Sequence, residues 1–119
     1  MDDKITTIQE IKDIVNKVIT ERDWQQFHNA KNLSMSIAAE AAELMELFLW
    51  VDGKESNSVV KKESFAVESE IADIAWMVLC FCNSHNIDLA TAINNKLAIN
   101  VKKYPIEKAK GRHEKYTKL

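Results

Sequence analysis

Hydrophobic residues recur at helical spacing along most of the chain, and polar stretches separate the runs. The pattern predicts four helices, over residues 8–20, 33–51, 58–83 and about 89–101. Thr7 and Glu10 have the spacing of a capping box at the start of the first helix. Asp88 is the expected N-cap of the fourth.

Polar segments connect these helices and form the C-terminal tail. Loops are expected at residues 21–32 and 53–58, with Asp52-Gly53 as the turn that ends the second helix. Pro105 stops the fourth helix. Residues 106–119 then form either a frayed, solvated tail or a basic flap that meets a polyanion. Two Gly and one Pro in 119 residues favour long helices and short loops.

Together these features predict an all-α protein whose single domain spans residues 1–119. Its core should resemble an antiparallel four-helix bundle of about four to five helices. Residues 74–82 are apolar on every side of the predicted third helix. Because a helix without a polar face must be covered on several sides, we expect the bundle to assemble as an oligomer.

Charge and composition exclude several classes of protein. The net charge of −2 argues against general nucleic-acid binding, which needs a basic surface. The longest apolar run, residues 74–82, is far shorter than the ~20 residues of a membrane span, and the N-terminus shows no apolar core of a signal peptide. Cys80 and Cys82 point about 200° apart on a helix. They are therefore expected to be reduced core residues of a cytoplasmic protein.

Four carboxylates are the candidate chemical centre. Glu40 and Glu43 lie in one strongly apolar helical segment, and Glu70 and Asp73 lie in another. Residues three apart share one face of a helix, so each pair can present two carboxylates together. Packing of the two segments would turn both pairs inward, where two unit charges ~4 Å apart repel by roughly 4 kcal/mol. The carboxylates must stay apart, take up protons, or share a cation, and the sequence favours the cation. Glu46 continues the series and is expected either at the edge of the site or facing solvent.

The ligand types select the ion. An all-oxygen site suits Mg²⁺, with Mn²⁺ as a possible substitute. Helical di-iron sites use Glu-x-x-His, and none of His28, His85 and His113 has a Glu three residues before it. Mg²⁺ held by carboxylates commonly bridges to phosphates. With the aromatic rings of Trp24 and Trp50 and the basic residues from Lys96 onward, the acidic centre indicates a nucleotide ligand.

The sequence resembles the MazG-like all-α nucleoside triphosphate pyrophosphohydrolases, in particular the short, single-domain branch that includes dCTP pyrophosphatases. The family signature is E-x-x-E, a spacer, then E-x-x-D, and here it reads EAAE at 40–43 and EIAD at 70–73. Further matching blocks extend over nearly the whole chain: RDWQQFH at 22–28, KNL at 31–33, EAAELMELFLW at 40–50, EIADIAWMV at 70–78, IDL at 87–89, KLAINVKKYP at 96–105 and KYT at 115–117.

The resemblance implies Mg²⁺-dependent cleavage of a nucleoside triphosphate to monophosphate and pyrophosphate, which clears surplus or non-standard nucleotides. It implies that the four signature carboxylates, Glu40, Glu43, Glu70 and Asp73, hold the metal and supply the catalytic groups. It also implies a set of substrate-binding residues, namely Trp24, His28, Trp50, Met77, Lys96, Asn100, Arg112, Lys115 and Tyr116. Met77 stands where relatives often have Tyr, so this position cannot hydrogen-bond to a base as a phenol does. Homodimers or homotetramers are the expected assemblies.

Two other functions remain open on the sequence. A diphosphatase related to the dimeric dUTPases would use the same metal chemistry, and substrate comparison would separate the two enzymes. A non-catalytic helical interaction module would use the carboxylates only to solvate a groove. The residues that follow Asp73 are apolar. This argues against the interaction module, because a solvated helix face would have polar residues beyond Asp73 as well.

Overall fold

The chain is entirely helical in the computed structural model, which describes residues 1–119. Six α-helices follow one another: α1 (Ile8–Glu21), α2 (Ala30–Glu46), α3 (Gly53–Lys62), α4 (Ser64–Ser84), α5 (Leu89–Lys103) and α6 (Ile106–Ala109). Short 3₁₀ helices lie at Gln25–Phe27 and Tyr116–Lys118. The predicted all-α class is confirmed, with more helices than the sequence pattern indicated. No helix is long and apolar enough to cross a bilayer.

The chain divides into two compact units, Met1–Ile87 and Asp88–Leu119. In the first unit, α4 is the central helix and packs against α2 most extensively, and also against α1 and α3. The buried core of this unit consists of Val15, Ile19, Leu33, Val67, Leu79, Cys80 and Cys82. Both cysteines are free. Because they lie on nearly opposite sides of α4 and are both buried, α4 is covered on two sides within this unit.

Side-chain caps explain where the helices of this unit begin. The capping box is present: Glu10 N donates to Thr7 Oγ1 over 3.1 Å, and Thr7 N donates to Glu10 Oε2 over 2.6 Å. Asn29 caps α2 by accepting a bond from Asn32 N at 2.8 Å. This helix therefore starts at Ala30, earlier than predicted, and the loop before it contains a 3₁₀ turn.

The region after α2 differs most from the prediction. The second helix ends at Glu46 rather than residue 51, and turns follow it to residue 50. The expected loop at residues 53–58 is wrong, because these residues belong to α3. Asp52 does not end a helix but begins one, since its side chain accepts a hydrogen bond from Glu55 N at 2.8 Å.

The predicted third helix, residues 58–83, is two helices. They meet at Glu63, whose backbone (φ −111°, ψ 35°) is not helical. No Gly or Pro marks this break in the sequence. The break therefore separates α3 from α4, and the two helices are in contact.

In the second unit, α5 starts at the predicted N-cap: Asp88 accepts a bond from Thr91 N at 2.8 Å. The tail is ordered and does not fray. The ring of Tyr116 lies edge-on to that of Tyr104, with centroids 5.9 Å apart, and Lys103 Nζ lies 4.8 Å from the centroid of Tyr116. Every residue of α5 from 90 to 102 is exposed, including Ile93 and Leu97.

Candidate metal centre

The contact between α2 and α4 brings the two acidic pairs together. Glu40, Glu43 and Glu70 each offer a carboxylate oxygen, and these three oxygens all lie within 4.8 Å of one another. Asp73 lies outside that group, but its negative charge acts on both Glu40 and Glu70. The encounter of the two segments that the sequence predicted is therefore present within one chain.

Two oxygens of this cluster have no hydrogen-bond partner. Glu40 Oε2 and Glu70 Oε2 are buried, and neither accepts a bond from any donor of the protein. Buried polar atoms are nearly always satisfied in folded proteins. None of the ion pairs of the chain includes a carboxylate of the cluster, since all of them involve Glu21 or Glu114. The protein itself therefore leaves the negative charge of the cluster uncompensated.

The electrostatics of the cluster confirm this imbalance. The pKa of Glu40 is raised above its ordinary value, first because Glu40 and Glu43 can share a proton, then by burial and by the charges of Glu43, Asp73 and Glu70. Burial is the main cause that raises the pKa of Glu70, followed by the charge of Glu43. The charge of Glu46, which is itself exposed, is the last of the causes that raise the pKa of Glu70.

The donor set fits a hard divalent cation. All available ligand atoms are carboxylate oxygens, two of them already buried and desolvated, and they are supplied by two rigid helices. Oxygen donors suit Mg²⁺ and Mn²⁺. A cation among these oxygens would supply the partners that Glu40 and Glu70 lack and would reverse the rise of their pKa values.

The aromatic residues of the first unit lie in different environments. Trp50 is 99% exposed and adopts a positive φ of 64°, in the turns between α2 and α3. Trp24 is partly exposed, with the guanidinium carbon of Arg22 5.8 Å from its ring centroid. Met77 is half-buried on α4, one turn beyond Asp73. The indole ring of Trp50 is therefore accessible to solvent on both faces.

His28 is half-buried and lines a cavity of about 310 Å³ in the first unit. The sequence pattern did not identify the other residues that line it as a site: Asn16, Ile19, Gln25, Cys80, Asn83 and Ser84. They are single residues scattered over α1, the 3₁₀ turn and α4, and most of them are polar or small. Only the fold brings them together, so no local motif could have found them.

The remaining predicted substrate residues belong to the second unit. Lys96 and Asn100 are exposed on α5, at the i, i+4 spacing that places them on one face. Arg112 and Lys115 are also exposed, and Arg112 Nε lies 3.3 Å from Glu114 Oε2. The ring of Tyr116 packs against Tyr104. Their role toward a substrate stays a prediction.

A family model described as MazG-like matches residues 35–119 and thus includes all four carboxylates. The chain belongs to the MazG-like family. It is 32% identical to dCTP pyrophosphatase 1 of Homo sapiens over 115 residues, which covers 95% of this chain and 68% of the relative. Its identity to dCTP pyrophosphatase 1 of Rattus norvegicus is 31% over the same length.

The fold of this MazG-like protein is similar to that of a pyrophosphatase from Archaeoglobus fulgidus whose crystal structure is known. The TM-score is 0.81 at 33% sequence identity, and the match covers 88% of this chain and 98% of the other. These comparisons confirm the resemblance on which the sequence analysis relied. They also confirm that the protein is an enzyme, a nucleoside triphosphate pyrophosphohydrolase, so the non-catalytic interaction module is set aside.

Proposed function

We propose that this MazG-like enzyme hydrolyses (deoxy)nucleoside triphosphates to the monophosphate and pyrophosphate in the presence of Mg²⁺, with Mn²⁺ as a substitute. Such an activity removes surplus or non-standard nucleotides from the pool. The observation that carries the proposal is the pair of buried, unpartnered oxygens on Glu40 and Glu70, which come from facing helices of a pyrophosphohydrolase fold.

The metal would be held by Glu40, Glu43, Glu70 and Asp73. A bound Mg²⁺ screens the charge that develops as the phosphoanhydride breaks and lowers the pKa of a coordinated water. The two helices hold the oxygens in place before substrate arrives, so little reorganisation is needed when the triphosphate binds. One of these four carboxylates, or a neighbouring group, would orient the attacking water.

Recognition of the nucleotide would use the other predicted residues. Trp50 presents a whole indole face to solvent and can stack on a base, and Trp24, His28 and Met77 provide further contacts in the first unit. The positively charged and polar residues of the second unit are proposed to bind the phosphates: Lys96, Asn100, Arg112, Lys115 and Tyr116. For Arg112, this role requires it to exchange Glu114 for a phosphate, which a guanidinium binds in the same bidentate manner.

We further propose that the working form is a homodimer or homotetramer. Large apolar or aromatic side chains are exposed in both units, and those of the second unit are Ile93, Leu97, Ile99, Val101, Tyr104, Ile106 and Tyr116. So much exposed apolar surface on a small chain is typical of a protein that has an interaction surface. The two free, buried thiols fit the predicted cytoplasmic location, where cysteines stay reduced.

The activity is tested by release of pyrophosphate from a panel of canonical and modified dNTPs, with Mg²⁺ and then with EDTA. We expect monophosphate and pyrophosphate in equal amounts with Mg²⁺ and none with EDTA. Orthophosphate as the first product would contradict cleavage between the α and β phosphates. Activity on dUTP but not on dCTP or dATP would favour the dUTPase-like alternative.

A further inference from the structure

Two side-chain hydrogen bonds join positions that are 75 and 71 residues apart in the sequence, and Lys12 takes part in both. The ammonium of Lys12 donates to the backbone carbonyl of Ile87 over 3.0 Å, and Asn83 Nδ2 donates to the backbone carbonyl of Lys12 over 2.9 Å. Lysine is mostly exposed in proteins, whereas Lys12 is half-buried on α1. The two bonds therefore tie α1 to the C-terminal end of α4 at a defined point.

Ile87 lies in the corner between α4 and α5, which consists of residues 85–88. Its backbone N–H donates to the carbonyl of Cys82 over 3.0 Å, and Asn86 has a positive φ of 53°. This arrangement is typical of a Schellman motif, which ends a helix at a residue in the left-handed conformation. Because α4 has no basic residue in its last turn, Lys12 supplies from α1 the cation that is favoured at the carbonyl end of a helix.

The same corner determines where α5 begins. Asp88 directly follows Ile87, and its side chain accepts a hydrogen bond from Thr91 N at 2.8 Å. The N–H of Ile87, its carbonyl and the Asp88 side chain are thus all bonded, and the bond to the carbonyl comes from another helix. In contrast, every residue of α5 from 90 to 102 is exposed, so burial of side chains within the chain does little to fix the direction of this helix.

A small rotation at this corner becomes a large displacement further along α5. At ~1.5 Å of rise per residue, Lys96 and Asn100 lie roughly 12 and 18 Å from Asp88 along the helix axis. A rotation of about 10° at the corner would therefore move them by roughly 2 and 3 Å. Displacements of this size break a hydrogen bond, because its heavy-atom distance varies over only ~0.5 Å.

We propose that Lys12 is a positioning residue for nucleotide binding, because its bond to the carbonyl of Ile87 fixes the direction in which α5 leaves the corner. That direction places Lys96 and Asn100 for contact with the phosphates. Lys12 itself touches neither the metal nor the substrate in this assignment. The inference rests on the proposed pyrophosphohydrolase function, in which Lys96 and Asn100 bind the phosphates. It concerns a residue of α1, which lies before the residues 35–119 that the family model matches.

The test measures KM and kcat of Lys12→Met with Mg²⁺, on the dNTP that the unaltered enzyme uses best. Methionine keeps a long apolar side chain but cannot donate a hydrogen bond. Because the phosphate contacts would weaken while the carboxylates stay in place, KM should rise about five- to tenfold, with kcat changed by less than about twofold and Mn²⁺ affinity unchanged. Lys12→Gln, whose side chain is shorter, should change KM in the same direction. Lys12→Arg, which can donate to the same carbonyl, should restore most of the loss. Lys17→Met, at an exposed position of α1, should change nothing.

Hydrogen–deuterium exchange of the backbone amides provides a second readout that needs no substrate. Exchange at residues 87–92 should be faster in Lys12→Met, while exchange around the carboxylates of α2 and α4 stays the same. An unchanged KM in both Lys12→Met and Lys12→Gln, or a KM that Lys12→Arg does not restore, would overturn the positioning role while the proposed function stands. A loss of Mn²⁺ affinity in Lys12→Met would overturn it as well, because the defect would then not be confined to α5. Absence of pyrophosphate release by the unaltered enzyme from every dNTP would overturn the proposed function and this inference together.

Discussion

Individual carboxylates decide the chemistry of this protein. Glu40 and Glu70 are acids placed on apolar helices that pack together, and each has one buried oxygen without a donor. The sequence was sufficient to predict this encounter, because the i, i+3 spacing and the apolar surroundings are both local features. It could not predict which of the four acids would be most buried, since that depends on how α2 and α4 pack.

The first residue-scale prediction concerns pH. In the metal-free protein, the pKa values of Glu40 and Glu70 lie above the ordinary value of 4.5, so the folded state holds more protons than the unfolded state above pH 4.5. The free energy of unfolding should therefore fall as pH rises from 4.5 through the raised pKa values. Glu40→Gln cannot ionise and should lose less stability over that range.

Urea unfolding in EDTA at a series of pH values measures this difference. The gap in unfolding free energy between Glu40→Gln and the unaltered protein should widen in favour of the variant as pH rises. Glu68→Gln, an exposed substitution on the same helix, should show no such trend. A gap that stays constant with pH would contradict the electrostatic description of the cluster.

Trp50 carries the second residue-scale prediction. Its φ of 64° is unfavourable for a side chain with a Cβ, by roughly 1 kcal/mol. Trp50→Gly should therefore stabilise the fold by up to about 1 kcal/mol and, because the stacking face is lost, raise KM several-fold. Trp50→Phe keeps an aromatic ring and a Cβ at the position of positive φ, so the free energy of unfolding and KM should both change little.

Thermal unfolding and steady-state kinetics on the two variants separate these effects. If Trp50→Gly raised stability and left KM unchanged, the proposed stacking role would be wrong. The sequence identified this tryptophan as a substrate residue, but its backbone conformation follows from the turns after α2, which sequence patterns did not reveal.

At the scale of elements, caps account for most of the helix boundaries. Thr7, Asn29, Asp52 and Asp88 each accept a bond from a backbone N–H of the first turn. The first and last of these were predicted from sequence. Asp52 was assigned to a turn because Gly follows it, although Asp52 and Glu55 also have capping-box spacing. The break at Glu63 has no local signal at all, so it is set by packing against α4.

The cap of α3 gives a direct prediction. Asp52→Ala removes the acceptor for Glu55 N and should destabilise the protein by about 1 kcal/mol. Asp52→Ser, which can also cap, should restore most of that loss. Chemical denaturation of the two variants tests the assignment. Equal stability of both with the unaltered protein would mean that the cap contributes nothing and that α3 is held by tertiary contacts alone.

For the whole molecule, the balance of buried and exposed apolar residues indicates assembly. The buried apolar core is seven residues, all in the first unit, while large apolar side chains are exposed in both units. The sequence predicted an oligomer from the apolar faces of residues 74–82, whereas the structure shows exposed apolar side chains along α5 as well. Sequence patterns could not show this, because apolar positions look alike whether the covering partner is the same chain or another.

Sedimentation at micromolar concentration tests this assembly. The unaltered protein should sediment as a dimer or larger species. Leu97→Glu places a charge on the exposed apolar face of α5 and should shift it toward a monomer with reduced activity. Asn95→Glu adds the same charge about 160° round the helix from Leu97 and should have a smaller effect. A monomeric unaltered protein with full activity would contradict the proposed assembly.

The central claim is that the carboxylates of α2 and α4 together bind a divalent cation. Direct titration with Mn²⁺, followed by its electron paramagnetic resonance signal, measures this binding without any substrate. The unaltered protein should bind Mn²⁺ saturably, Glu40→Gln and Glu70→Gln should each weaken the affinity at least tenfold, and Glu68→Gln should match the unaltered protein. Equal Mn²⁺ affinity in all four proteins would show that the cluster is not the metal site and would contradict the central claim.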